Sequence, residues 1–213
     1  MKKYSFLAYI AISSLLFTSC IKEDEKTFSG ETVVEIDQTV LNGVVSGITY
    51  PILTRIPFSG RPLVTASDST LRRWNNTTLT RIRINLVGPQ SSKEQTVSYT
   101  ISNTPPVASI AFAATLLSTS AAGTVGKQEP VGLAATLTLA AAVPGTHYNI
   151  VGTSPAGTVT IPANSSFGYI DIQVINAGAT AGQARYIGIE LTGNGSVKPN
   201  PNYNKIGIAI DQR

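Results

Sequence analysis

The chain has one histidine, one tryptophan and one cysteine, so each can be asked what chemistry its surroundings permit. His147 stands in Gly145-Thr146-His147-Tyr148, and a hydrolytic triad would need such a base beside a nucleophile and an orienting acid. No Gly-x-Ser-x-Gly elbow surrounds any serine and no acid lies near His147 in the sequence. The imidazole is therefore expected to hydrogen-bond near the start of a strand. Asp171 and Glu190 are expected on outward strand faces, and glycoside cleavage would need such a pair about 5 to 9.5 Å apart across a cleft. Solvated sheet surface is the simpler expectation for both. Gly193-Asn194-Gly195 lacks the Lys-Ser/Thr and the helix of a phosphate loop. The chain is not expected to be an enzyme, and no cofactor or metal is expected.

Binding leaves fainter marks. Trp74 lies in "LRRWNNTT" beside Arg72, Arg73, Asn75 and Asn76, a composition suited to a sugar platform. A flat ring stacks on a pyranose face while amides and guanidinium groups bond hydroxyls. A tryptophan packed against the fold is the competing reading, since large aromatics commonly fill cores. Tyr169 and Tyr186 fall on expected outward faces, where a second carbohydrate platform could form. The segment from Gly193 to Asn204, with two prolines and four asparagines, reads as a long polar loop of the kind that carries recognition on β-scaffolds.

Location is written more clearly. Lys2 and Lys3 followed by the apolar stretch Tyr4 to Phe17 and small residues Thr18 and Ser19 read as a cleaved secretion signal over residues 1–19. That stretch is shorter than the roughly 20 residues a membrane-spanning helix needs. Phe17-Thr18-Ser19-Cys20 resembles the lipobox of bacterial lipoproteins, which implies that Cys20 is acylated and becomes the first residue of the mature chain. Several acyl chains on one residue would hold a membrane stably, where a single chain holds marginally. With Cys20 so used, no thiol remains for a disulfide, a nucleophile or a thiolate metal site. Lys22-Glu23-Asp24-Glu25 resembles the export signal of surface lipoproteins in the Bacteroidota; residues 20–30 read as a lipidated, charged tether. Asp68-Ser69-Thr70 resembles the O-glycosylation triplet of the same group, with Ser69 as acceptor.

The remaining 31–213 is one domain of ordinary size. Lys2 and Lys3 leave with the signal, so the formal charge falls from +4 to +2. Charged residues make up only 13% of the chain, which argues against a nucleic-acid surface. Period-two alternation marks Ile82, Ile84 and Leu86; Val97, Tyr99 and Ile101; Val159 and Ile161; Ile170, Ile172 and Val174; Ile187, Ile189 and Leu191; and Ile206, Ile208 and Ile210. Thr32 to Asp37 adds an edge strand. About seven such strands, separated by Gly/Pro/Asn/Ser turns, predict an all-β antiparallel sandwich, with a barrel as alternative. Residues 104–142, rich in Ala, Thr, Ser and Leu, read as an insertion whose apolar halves form a hairpin, although Ala and Leu also favour a short helix.

In order, "RIRINLVGPQ", "TVSYTIS", "AAVPGTHYNIV", "GTVTIPANSSFGYIDIQVIN" and "RYIGIELTGNGSVKPNPNYNKIGIAI" resemble the Calx-beta-like domain of uncharacterised Bacteroidota surface lipoproteins. The resemblance covers roughly Thr32 to Ile210 and implies an immunoglobulin-like sandwich without an established activity. Calx-beta domains proper can bind calcium through clustered acids, and such a cation takes six to eight oxygens. Here His147 and Ala177 stand where acids are common in those relatives. Together these features lead to the expectation of a non-catalytic, lipid-anchored outer-membrane protein exposed at the cell surface. It would serve as a binding or accessory module for a glycan or a glycan-uptake partner. The alternative is a structural or adhesive spacer that contacts other proteins.

Overall fold

The computed structural model describes residues 28–37, 46–55, 70–74, 79–112, 135–152 and 154–213. Cys20, Lys22, Glu23, Asp24, Glu25, Ser69, Asn75 and Asn76 lie outside the described residues. Among those described the fold is all-β, with 12 strands in two sheets and no helix.

The first sheet contains β1 (Val33–Ile36), β3 (Leu79–Val87), β7 (Tyr148–Val151), β9 (Phe167–Val174) and β11 (Lys198–Pro199). Their spatial order is β11-β1-β3-β9-β7. The second contains β2 (Ile52–Leu53), β4 (Gln95–Ser102), β8 (Thr158–Ile161), β10 (Gln183–Gly193) and β12 (Lys205–Asp211), in the order β2-β12-β10-β4-β8. Two further strands, β5 (Ser109–Phe112) and β6 (Ala135–Ala141), pair antiparallel, as the hairpin reading requires, and β6 continues the sheet alongside the first half of β10. Three pairings, β1 with β11, β6 with β10 and β2 with β12, are parallel. The sheets are therefore mixed, which corrects the antiparallel expectation: strands added after long connections are free to dock in either direction.

The alternation in the sequence sets the main core. Ile82, Ile84 and Leu86 of β3 and Ile170, Ile172 and Val174 of β9 face Val97 and Tyr99 of β4, Val159 and Ile161 of β8, Ile187, Ile189 and Leu191 of β10, and Ile206, Ile208 and Ile210 of β12 across the sandwich. Each such side chain contributes about 1.5–3 kcal/mol on burial. Ile101 lies at the end of its row and is exposed.

The other face of the second sheet is covered as well. Ile52, Ile110, Phe112, Leu137, Leu139, Ala184, Tyr186 and Ala209 form a second apolar cluster, against which Ile48 and Val107 pack. Its centre is Tyr186, which is 1% exposed. Glycines open the space for its ring: a methyl group at Gly207 would lie 2.8 Å from Tyr186 Cε2, and one at Gly188 would lie 2.8 Å from its hydroxyl. The hydroxyl meets that of Tyr50 at 3.0 Å, so the one polar atom of a buried ring has a partner.

Gly207→Ala should destabilise the protein by about 1–3 kcal/mol, because the new methyl meets both Tyr186 and Ile52 in a filled cluster. The urea-unfolding midpoint measures this, and an unchanged midpoint would mean that the Tyr186 ring yields freely.

Candidate functional site

A cleft of about 620 Å³ opens at the flank of the sandwich beside β9. Its origin is a mismatch in strand length. β7 pairs with β9 only from Asp171 to Val174, so among the described residues the first half of β9 has β3 on one side and no strand of its sheet on the other. The β7–β8 connection closes the far wall. That connection is held in place locally: Ser154 Oγ donates to Thr160 Oγ1 at 3.0 Å and accepts the Thr160 N–H at 3.1 Å. Thr158 Oγ1 donates to the Pro155 carbonyl at 2.8 Å, and the Tyr99 N–H donates to the Gly157 carbonyl at 2.9 Å. Gly157 has φ +75°, a conformation that favours glycine.

The rim carries two aromatic rings. Phe167 and Tyr169 project from the outer face of β9 because inward residues Gly168 and Ile170 alternate with them. They are 36% and 39% exposed. Their centroids are 5.5 Å apart and their planes are inclined by 66°, an edge-to-face contact that fixes both orientations. Phe167 is set further by Ser165, whose Oγ donates to the Phe167 carbonyl and accepts the Phe167 N–H. The preceding turn places Asn164 at φ 57°, which asparagine tolerates.

Arginines from β3 lie against these rings. Arg81 Cζ is 4.7 Å from the Tyr169 centroid and Arg83 Cζ is 4.3 Å from that of Phe167, within cation–π range. Arg81 also forms a two-pronged pair with Asp171, Nε to Oδ1 at 2.7 Å and Nη2 to Oδ2 at 2.9 Å. That hydrogen bonding, ahead of the small opposing effect of burial, raises the Arg81 pKa further above its already high ordinary value. Arg83 Nε lies 4.0 Å from Asp37 Oδ2. Two aromatic surfaces set at an angle, beside fixed donors and acceptors, can grip a sugar ring from its face and its edge.

Of the residues singled out in the sequence, Tyr169 is at this cleft and Tyr186 is not. Tyr186 does lie on the side of β10 opposite the main core, but the second cluster covers that side, so it cannot serve as a platform. Arg72 is also buried, at 4% exposure, with Nε 3.9 Å from Asp211 Oδ2. Its role is structural rather than ligand-facing. Trp74 is half-buried, with the Arg72 and Arg73 guanidinium groups 5.2 and 4.9 Å from its ring centroid. Arg73 Nη1 donates to Asn176 Oδ1 at 2.7 Å, tying this segment to the β9–β10 connection. Asp171 and Glu190 lie in different sheets, paired with Arg81 and Lys205, so they form no carboxylate couple. Among the described residues, no three of His, Cys, Asp and Glu converge. Phe167 was not singled out, although its spacing of two from Tyr169 already placed both rings on one face.

No protein-family profile matches the chain, and no curated protein matches it. Among solved structures, it is similar to a candidate carbohydrate-binding protein from Bacteroides ovatus, with 9% sequence identity and a TM-score of 0.35. That similarity covers 63% of this chain and 31% of the other, so it spans about a third of that protein's length.

His147 has the structural role expected of it. It is buried just before β7, and its Nδ1 accepts the Val143 N–H at 3.0 Å. Burial, and then the nearby Arg185 charge, lower its pKa from the ordinary value of 6.5. The folded protein thus holds the ring neutral, while the unfolded chain takes up a proton near its ordinary pKa. This contribution to stability is complete above that pKa and declines as pH falls below it. The melting temperature should therefore fall between roughly pH 7 and 5.5, and His147→Gln should flatten that slope. Equal slopes in the two proteins would assign the acid sensitivity elsewhere.

Proposed function

We propose that this protein is a non-catalytic glycan-binding module, displayed by a lipid anchor on the outer surface of the outer membrane. Its sandwich would be of the immunoglobulin-like, Calx-beta-like kind. The observation that carries the binding reading is the exposed pair Phe167 and Tyr169, inclined and braced at the rim of a cleft of about 620 Å³. Sites for small ligands occupy roughly 300–1,000 Å³ and combine apolar lining with a few placed polar groups. The lining pairs Tyr99, Ile101 and Ile150 with the hydroxyls of Ser154, Thr158 and Ser165. Sugars need both surfaces, apolar faces for C–H groups and hydroxyls for their own. Support for the anchor is the sequence from Lys2 to Glu25, with Cys20 as lipid acceptor and Lys22, Glu23, Asp24 and Glu25 as the export signal.

Tyr169→Ala should weaken binding to a glycan-array hit by about tenfold, the scale of a lost aromatic contact. Isothermal titration of the full chain in detergent measures this, with Trp74→Ala as a comparison that should bind normally. A well-folded protein that binds no glycan would return the weight to a structural or adhesive spacer.

The anchor has its own test. Metabolic labelling with an alkynyl fatty acid should mark the wild type and not Cys20→Ala. Replacing Glu23, Asp24 and Glu25 together by Ala should preserve the label while removing digestion by protease added to whole cells. Continued digestion of that variant would reject the export reading.

A further inference from the structure

We propose that the cleft selects neutral sugar residues and rejects uronate and sulfate groups; this rests on the glycan-binding reading and adds the substrate class. The charges around the aromatic pair decide it. Among the described lining residues, Asp171 is the one carboxylate, and none is a lysine or arginine. Arg81, over Tyr169, already gives Nε and Nη2 to both oxygens of Asp171. Arg83, under Phe167, lies 4.0 Å from Asp37. The two cations and two carboxylates thus balance locally.

An anionic sugar stacked on Tyr169 would bring its charge toward the Asp171 carboxylate. It would have to compete with Asp171 for Arg81, draw Arg83 away from Asp37, or lose water without gaining a partner, and each is costly. A neutral sugar meets no such conflict. Its hydroxyls can bond Ser154, Thr158 and Ser165, whose oxygens have acceptor capacity beyond the bonds they make. They can also donate to Asp171, whose ionised oxygens accept more than the Arg81 bonds. The inclination of 66° between rings only 5.5 Å apart adds a shape limit. Two rings so placed cannot lie together on the flat surface of a crystalline polysaccharide, but they form a corner against which one pyranose of a soluble chain can rest.

The test uses the full chain in detergent and a glycan array containing neutral, uronic-acid and sulfated polysaccharides. Each bound neutral glycan is then titrated beside its derivative oxidised to the carboxylate at the primary hydroxyl. The neutral form should bind at least about tenfold more tightly, and raised salt should narrow the difference because the site is open to solvent. Asp171→Asn, which releases Arg81, should shrink or reverse the preference; Arg81→Gln, which leaves Asp171 unbalanced, should widen it. Oxidised glycans binding as tightly as neutral ones, or an array bound only through acidic glycans, would overturn the selectivity while leaving glycan binding intact. Silence across the array would remove both.

Discussion

The flank of this molecule depends on how closely β9 passes over β8. Gly168 lies against the Thr160 carbonyl, with no space for a side chain between the two backbones; even the Val159 side chain would stand 3.2 Å from an added methyl. Glycine at this position lets strands from opposite sheets touch, and at this margin the sandwich closes on itself. The residues on either side of Gly168 are Phe167 and Tyr169. The same contact that joins the sheets therefore turns both rings outward, and the premature end of β7 leaves them an opening. A side chain at 168 would push β9 away from β8 and disturb the cleft wall and the rim together.

The outer face of the first sheet shows how charge is managed around exposed rings. β3 supplies Arg81 and Arg83 in register with Asp171 and Tyr169 of β9, so guanidinium groups reach a carboxylate and an aromatic face at once. Isolated surface ion pairs contribute little. Here the two-pronged geometry of Arg81 with Asp171 does something else: it restricts the arginine to one position over Tyr169, and so stiffens the ring beneath it. Lys198 with Glu31 is by contrast an ion pair between two largely exposed side chains.

Much of this was readable in advance. Alternation located β3, β4, β8, β9, β10 and β12, because a strand with one buried face must repeat every second residue; Thr32 to Asp37 does contain β1, but β1 pairs with both β3 and the two-residue β11 and so is not the edge expected of it. β2 and β11 have two residues each, too few to show a period, and β11 lies within the Pro- and Asn-rich stretch read as a loop. β7 has four, only the first of which is buried. Tyr186 misled for a different reason. Alternation tells which side of a strand a residue takes, not whether anything covers that side, and only the small residues Ala184, Gly188, Gly207 and Ala209 on the same face hinted at a second layer. The cleft was beyond sequence reading, since it depends on where β7 stops relative to β9 and on the register that brings Arg81 to Asp171. Arg72 and Arg73, adjacent in sequence and both against the Trp74 ring, took different partners: one is buried near Asp211 and the other bonds Asn176.

The order β11-β1-β3-β9-β7 sets the first described strand and the cleft apart. The chain leading from Phe28 joins the sheet at β1, while the cleft lies at the β7 margin, three strand spacings or about 14 Å across the sheet. Entry strand and cleft are thus kept apart by strand order alone, and a change in where the chain joins the sheet would leave the shape of the cleft untouched.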